Sequence, residues 1–91
     1  RLIAAYPNPF TETITIENIS PPDFGGMVTI RVYDIRGQLV KILAEGIFAY
    51  ECQQFEWDGR TMENQMVPSG IYFIRITSRF MNQTVKVTCL R

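Results

Sequence analysis

Along much of this chain, hydrophobic and polar residues alternate with a period of two. Between Met27 and Asp34, Val28, Ile30 and Val32 alternate with the polar residues Thr29 and Arg31. Thr13–Glu17 places its two isoleucines on one side in the same way. Ile71–Thr77 and Thr84–Leu90 are rich in β-branched and aromatic residues. This period sets alternate side chains on opposite faces of a strand, and no window shows a convincing helical stripe. The pattern therefore predicts an all-β protein.

Turn residues separate these predicted strands at short intervals. Ile35-Arg36-Gly37-Gln38 has the composition of a hairpin turn, because glycine adopts a positive φ without steric strain. Asp58-Gly59 and Pro68-Ser69-Gly70 mark two further breaks, and Phe80–Gln83 is typical of a hairpin loop. Six or seven strands with turns at this spacing predict an antiparallel β-sandwich.

The segment after the first hairpin turn allows two interpretations. Leu39–Leu43 is expected to return as the partner strand, and a further strand is expected to run from beyond Gly46 to Trp57. A helix over Gln38–Glu45 is the alternative, although its length is marginal and glycines bracket it.

Length, charge and hydropathy limit the number of domains and the kinds of partner that we expect for this chain. The 91 residues correspond to one small domain, 1–91, in which 1–10 form an extended lead-in stiffened by Pro7 and Pro9. The formal net charge is zero, which gives no long-range attraction to nucleic acid. No apolar run approaches the roughly 20 residues that span a bilayer, so we expect no membrane insertion. Because the chain opens at Arg1 without a leader, we expect it to be part of a larger protein.

The sequence lacks several residues and motifs that enzyme active sites commonly use. The chain has no histidine, which removes the usual general base and activator of serine or cysteine nucleophiles. Cys52 and Cys89 are too far apart for a Cys-x-x-Cys motif, and strand alternation places them on opposite faces, which disfavours a disulfide. No phosphate-binding glycine loop occurs. We expect no enzyme activity, no cofactor and no metal.

Two carboxylates and several aromatic residues allow both functional and structural interpretations. Asp34 and Asp58 precede turns, where a calcium site is conceivable but capping of the turn backbone is favoured. Phe55, Trp57 and Tyr72 fall on inferred inward faces, which favours core packing over sugar binding. On the other face of the Ile71–Thr77 strand, Ile71 and Phe73 join Arg75 in a possible exposed contact patch.

Four strings follow one another along the chain: Tyr6-Pro7-Asn8-Pro9-Phe10, Val32-Tyr33-Asp34-Ile35-Arg36-Gly37-Gln38-Leu39-Val40, Trp57-Asp58-Gly59-Arg60 and Val67-Pro68-Ser69-Gly70-Ile71-Tyr72. Taken together and in this order, they resemble the C-terminal sorting domain of the type IX secretion system of Bacteroidetes-type bacteria. The resemblance implies an immunoglobulin-like sandwich and a sorting motif, which we predict to comprise Pro7, Asn8, Pro9, Asp34, Gly37, Ser69, Gly70, Tyr72, Lys86 and Arg91.

The same resemblance implies a non-catalytic label. It would direct an upstream cargo domain through the periplasm and outer membrane to the surface or the medium, with a translocon and a surface sortase as partners. Since the closing strand lies next to Arg91, we expect recognition by pairing along its edge. Gln38 stands where the family often has a basic residue after the hairpin glycine, and the Trp57-Asp58-Gly59 string is at least as typical of a related family, the flagellar hook-capping domain. That structural module is one alternative, and an accessory carbohydrate-binding module of a secreted hydrolase is another.

Overall fold

Strand alternation and turn chemistry give the chain an all-β architecture. The computed structural model describes residues 2–19, 27–48, 52–79 and 82–91. Over these residues it contains β1 (Leu2–Tyr6), β2 (Ile14–Ile19), β3 (Met27–Tyr33), β4 (Leu39–Phe48), β5 (Cys52–Trp57), β6 (Gly70–Ser78) and β7 (Asn82–Cys89). No helix capable of spanning a membrane occurs in this part of the chain.

The strands form two antiparallel sheets stacked as a sandwich. One has the order β1-β2-β5 and the other the order β4-β3-β6-β7. Every pair of neighbouring strands is antiparallel. The prediction of an antiparallel sandwich with six or seven strands is confirmed.

Inward-facing residues of both sheets make one core, as the period of two predicts. Val28, Ile30 and Val32 of β3 are at most 1% exposed, and Ile14 and Ile16 of β2 match them from the opposite sheet. Each such aliphatic side chain contributes roughly 1.5–3 kcal/mol on burial. The buried hydrophobic set is Phe10, Ile14, Ile16, Val28, Ile30, Val32, Ala44, Trp57, Val67, Tyr72, Ile74, Ile76, Val87 and Cys89.

The path of β4 differs from the expectation. The predicted break at Gly46 is wrong, because β4 continues through it to Phe48 while pairing with β3 in an irregular register. Because β4 is an edge strand, a β-bulge can accommodate the glycine without ending the strand. The helical alternative for Gln38–Glu45 is also wrong, since Leu39 onward is strand.

The remaining boundaries follow the sequence closely. The lead-in is more than a tether, since its residues Leu2–Tyr6 pair with β2. β7 begins at Asn82, so the second half of the predicted 80–83 loop is strand, while residues 80 and 81 lie outside the described residues. Cys89 is buried and free, as expected of a small core residue, and the side chain of Cys52 is not among those described.

A candidate recognition surface at one end of the sandwich

All four sequence strings meet at the same end of the sandwich. There, β1, β3, β5 and β7 end while β2, β4 and β6 begin, and strand register brings these termini together. The connections at residues 7–13, 34–38 and 58–69 lie at this end, together with residues 90–91. We call it the motif end.

The hairpin between β3 and β4 is held by its first residue. Asp34 Oδ1 accepts hydrogen bonds from the backbone nitrogens of Arg36 and Gln38, both at 2.9 Å. The nitrogen of Gly37 donates to the carbonyl of Asp34 at 3.0 Å, and Gly37 has a φ of 85°. The turn-capping interpretation of Asp34 is therefore confirmed. Asp58 caps its own turn similarly by accepting from the nitrogen of Arg60 at 3.1 Å.

The Pro-Asn-Pro string lies along the outer edge of β7. Its two prolines follow cis peptide bonds. The side chain of Asn8 imitates a strand partner: Nδ2 donates to the carbonyl of Lys86 at 3.1 Å, and Oδ1 accepts from the nitrogen of Thr88 at 2.9 Å. Phe10 continues this pairing, because its nitrogen donates to the carbonyl of Thr88 at 2.9 Å and its carbonyl accepts from Leu90 at 2.8 Å.

This pairing changes the expected mode of recognition. Between Lys86 and Leu90, the outward backbone groups of the closing strand are already bonded to Asn8 and Phe10. A partner strand cannot add there without displacing the Pro-Asn-Pro string. The expectation that this part of the strand offers a free edge is wrong.

Arg91 joins two connections, residues 7–13 and 58–69, into one junction. Its guanidinium donates to the backbone carbonyls of Gly59, Val67 and Thr11, at 2.8, 2.9 and 3.3 Å. Its backbone nitrogen donates to Ser69 Oγ at 2.8 Å. We call this set of contacts the Arg91 clasp. A planar guanidinium with five donors can serve several carbonyls at once, which a lysine ammonium at the same place could not do.

Gly59 makes room for the clasp. A Cβ at this position would overlap the guanidinium of Arg91, and the φ of 71° lies in the region that only glycine adopts readily. The Asp-Gly dipeptide therefore serves both the turn and the close approach of an arginine.

Three aromatic rings support the motif end from inside. Trp57 is fully buried between Phe10 and Tyr72, with ring centroids 5.5 and 5.3 Å away in tilted and edge-on arrangements. The indole nitrogen donates to the carbonyl of Arg60 at 3.0 Å, and the hydroxyl of Tyr72 donates to the carbonyl of Pro68 at 2.6 Å. Burial raises the pKa of Tyr72, with further upward contributions from Cys89 and Asp34 and an opposing one from Arg91.

A groove opens beside this aromatic support. It has a volume of about 450 Å³ and runs between the β3–β4 hairpin and the segment before β6, with Ile35, Met66, Pro68 and Tyr72 among its walls. Ile35 is 71% exposed and Met66 is 55% exposed. Exposed apolar side chains that cluster beside a groove make this a candidate contact surface.

Sequence comparison identifies the family to which this arrangement belongs. The sequence model of the family described as the secretion system C-terminal sorting domain matches residues 4–89. The chain belongs to this family of sorting domains. It is therefore a sorting signal of the type IX secretion system, of a kind that is generally non-catalytic. No curated protein resembles it closely enough to count as a match.

Two solved structures share the fold of the sorting domain. One is PorZ of Porphyromonas gingivalis, described as an essential bacterial surface component of the type-IX secretion system, with a TM-score of 0.70 and 17% identity. The other is dimeric latent PorU of the same organism, with a TM-score of 0.74 and 22% identity. The likeness covers 98% and 97% of the sorting domain but only 11% and 9% of those chains.

Most of the predicted motif residues of the sorting domain lie together, and their side chains are engaged within the domain. Asn8 bonds to the edge of β7, and Asp34 bonds to its own turn. Ser69 accepts from Arg91, and the side chains of Tyr72 and Arg91 donate to the connection before β6. Pro7 and Pro9 flank Asn8, Gly37 closes the hairpin, and Gly70 starts β6 opposite Cys89.

Lys86 stands apart from this group. It is exposed and pairs with Phe73 on the outer face of the four-stranded sheet. The close approach of Arg91 to Gly59 and the pairing of Phe10 with β7 were not predicted from the sequence, although both residues lie in the strings that carry the resemblance. In the sequence, Gly59 is recognisable only as part of a turn dipeptide and Phe10 only as an aromatic residue.

Core packing of the aromatic residues is confirmed. Trp57 and Tyr72 are buried, and Phe55 packs against the core from its rim. The sorting domain thus lacks an exposed row of these three rings that could stack on a sugar. On the opposite face of β6, Ile71 and Phe73 are half-buried.

Proposed function

We propose that an outer-membrane translocon recognises this sorting domain at the motif end. A surface sortase then acts on the exported protein. The observation that carries the proposal is the convergence of the four strings at one end of the sandwich, where the Arg91 clasp bonds to the third string at Gly59 and to the fourth at Val67 and Ser69. Strings dispersed through the sequence form one surface only after the sandwich folds.

Internal hydrogen bonding decides which atoms a partner can contact. The polar side chains of Asn8, Asp34 and Ser69 are occupied, so they shape the motif end more than they reach out from it. Exposed apolar side chains remain for contact, above all Ile35 and Met66 beside the groove. An apolar centre with a polar rim is the usual composition of a specific protein interface.

The position of the first strand suits this arrangement. Leu2 pairs with Ile19, at the end of the sandwich opposite the motif end. A cargo domain joined upstream of β1 would approach from that opposite end. The motif end would then stay accessible while cargo is attached.

A fusion experiment tests the proposal. Residues 1–91 are joined to the end of a periplasmic reporter in a type IX-competent host, and reporter is measured in periplasm, surface and medium. Ile35→Gln and Met66→Gln should each reduce export at least about fivefold without changing the unfolding temperature, because exposed apolar side chains carry binding energy but little stability.

Met27→Gln is the matched control. Met27 is an exposed apolar residue, 51% accessible, at the opposite end of the sandwich. We expect its export to equal that of the unchanged domain. Normal export of both Ile35→Gln and Met66→Gln would refute the proposed surface. Retention of the unchanged, folded fusion in the periplasm would count against export by this domain.

A further inference from the structure

The outer face of the four-stranded sheet carries an unusual juxtaposition of positive charge. Arg31 of β3 and Arg75 of β6 are direct cross-strand partners, and both side chains point away from the core. Like charges in this position repel each other. Between them lies a pocket of about 240 Å³ lined by Thr29, Arg31, Tyr33, Arg75 and Thr77.

The charges around this pocket are only partly compensated. Glu45 forms an ion pair with Arg31, at 3.2 Å between Oε2 and Nη2. Arg75 donates its Nε to the side-chain oxygen of Asn82 at 3.2 Å, a neutral partner that fixes the guanidinium without cancelling its charge. Two guanidinium groups therefore face one carboxylate among the lining and contacting residues that the structure describes.

One donor at the pocket also lacks an acceptor. The Nε of Arg31 is shielded from solvent and has no hydrogen-bond partner within the described part of the chain. Buried donors are normally satisfied, so this atom is available to an acceptor that enters the pocket. The hydroxyl-bearing side chains of Thr29, Tyr33 and Thr77 line the same space and could add neutral hydrogen bonds.

We propose that the Arg31–Arg75 pocket binds a phosphate group. A tetrahedral dianion offers enough oxygens and charge to engage both guanidinium groups at once, as arginines commonly do with phosphate. A carboxylate has only two oxygens, which lie in one plane, so it would engage fewer of the donors that the two guanidinium groups present. The site lies on the outer face of the four-stranded sheet, where only Tyr33 of its lining belongs to the motif end, and it does not depend on the proposed mode of sorting.

Titration of the folded 91-residue domain with inorganic phosphate tests this site. Arginine Nε–Hε signals are followed by NMR while sodium chloride holds the ionic strength constant, because screening alone shifts exposed charges. We expect saturable shifts at Arg31 and Arg75. A second titration with glycerol phosphate asks whether the pocket accepts an ester as well: comparable binding assigns it to phosphate esters, and binding of inorganic phosphate alone assigns it to the free ion.

Three variants are predicted to change phosphate binding in different ways. Arg75→Gln should weaken phosphate binding at least about tenfold, since it removes one charge-assisted donor group. Glu45→Gln should strengthen binding about threefold, because it removes the competing carboxylate. Arg36→Gln removes an exposed arginine of the hairpin, and binding should stay within about twofold of the unchanged domain.

The same spectra report whether each variant is folded. If Arg75→Gln and Arg36→Gln weakened phosphate binding equally, the loss would reflect net charge alone, and the proposed site would be refuted. Shifts that do not saturate, or acetate binding as well as phosphate, would overturn it too. Arg75 is exposed, so its replacement leaves the core intact.

Discussion

Replacement of Arg91 by methionine should destabilise this sorting domain more than replacement of any other exposed arginine. Methionine keeps an unbranched apolar stem but removes every donor of the clasp. The guanidinium bonds to Gly59 and Val67 are short, at 2.8 and 2.9 Å, whereas the bond to Thr11 is long, at 3.3 Å. The first two should therefore carry most of the effect.

The magnitude follows from the strength of charge-assisted hydrogen bonds. They contribute roughly 1.5–3 kcal/mol each, and a partly exposed site falls at the low end, so the two short bonds together give about 3 kcal/mol. For a domain of this size that corresponds to a fall in the unfolding temperature of roughly 12–24 °C. Urea unfolding followed by tryptophan fluorescence measures it directly, since Trp57 is the single tryptophan of the chain and is fully buried in the folded state.

Arg36→Met is the control for loss of an exposed arginine. No side-chain hydrogen bond of Arg36 contributes to the hairpin, where only its backbone nitrogen is engaged. Its free energy of unfolding should stay within about 0.5 kcal/mol of the unchanged domain. If the free energy of unfolding of Arg91→Met also stayed within about 0.5 kcal/mol of the unchanged domain, at an unchanged denaturant slope, the clasp would contribute nothing measurable to stability.

Three further changes probe the rest of the motif end. Asn8→Ala should cost about 1–2 kcal/mol and speed hydrogen exchange at the amide of Thr88, because two bonds to the β7 edge are lost; unchanged exchange would contradict that role. Gly59→Ala should cost about 2–4 kcal/mol, since strain at positive φ and overlap with the guanidinium act together, whereas Gly37→Ala, with open space around it, should cost about 1 kcal/mol in urea unfolding; equal costs would refute the overlap. The folded-state pKa of Tyr72 lies above its ordinary value of 10.0, so its contribution is complete below pH 10.0 and is lost as the pH rises through the raised value. Tyr72→Phe should remove that part of the alkaline loss in unfolding measured from pH 8 to 11, and an unchanged slope would exclude it.

The sandwich could be predicted because the sequence signals that specify its strands and turns involve only residues close together in the chain. Val28, Ile30 and Val32 alternate with polar neighbours, and the structure buries all three at 1% exposure or less. Gly37 marked its hairpin by composition, and the structure gives it the positive φ that the turn requires. Such signals act over two to four residues, which is the range that sequence patterns describe.

The motif end could not be predicted in the same way, because its contacts join residues far apart in sequence. Asn8 bonds to residues 78 and 80 positions away, and Arg91 to carbonyls 24, 32 and 80 positions away. A terminal arginine and a Pro-Asn-Pro string each have a simple local interpretation, as a solvated cation and as a stiff tether. Neither contains information about its partner. For the same reason the pairing of Leu2–Tyr6 with β2 was not foreseen.

Internal use of the motif residues has a consequence for how a label of this kind can be recognised. Asn8 and Phe10 tie the chain that follows β1 to β7, and Arg91 ties β7 to the connections before β2 and after β5, so both sheets share one set of bonds. Breaking any of these contacts loosens elements of both sheets, and the surface around Ile35 and Met66 would lose its shape with them. Export of variants in the clasp should then fall in proportion to their loss of stability. Export of variants at Ile35 or Met66 should fall while stability holds, because those side chains touch the partner and leave the fold unchanged.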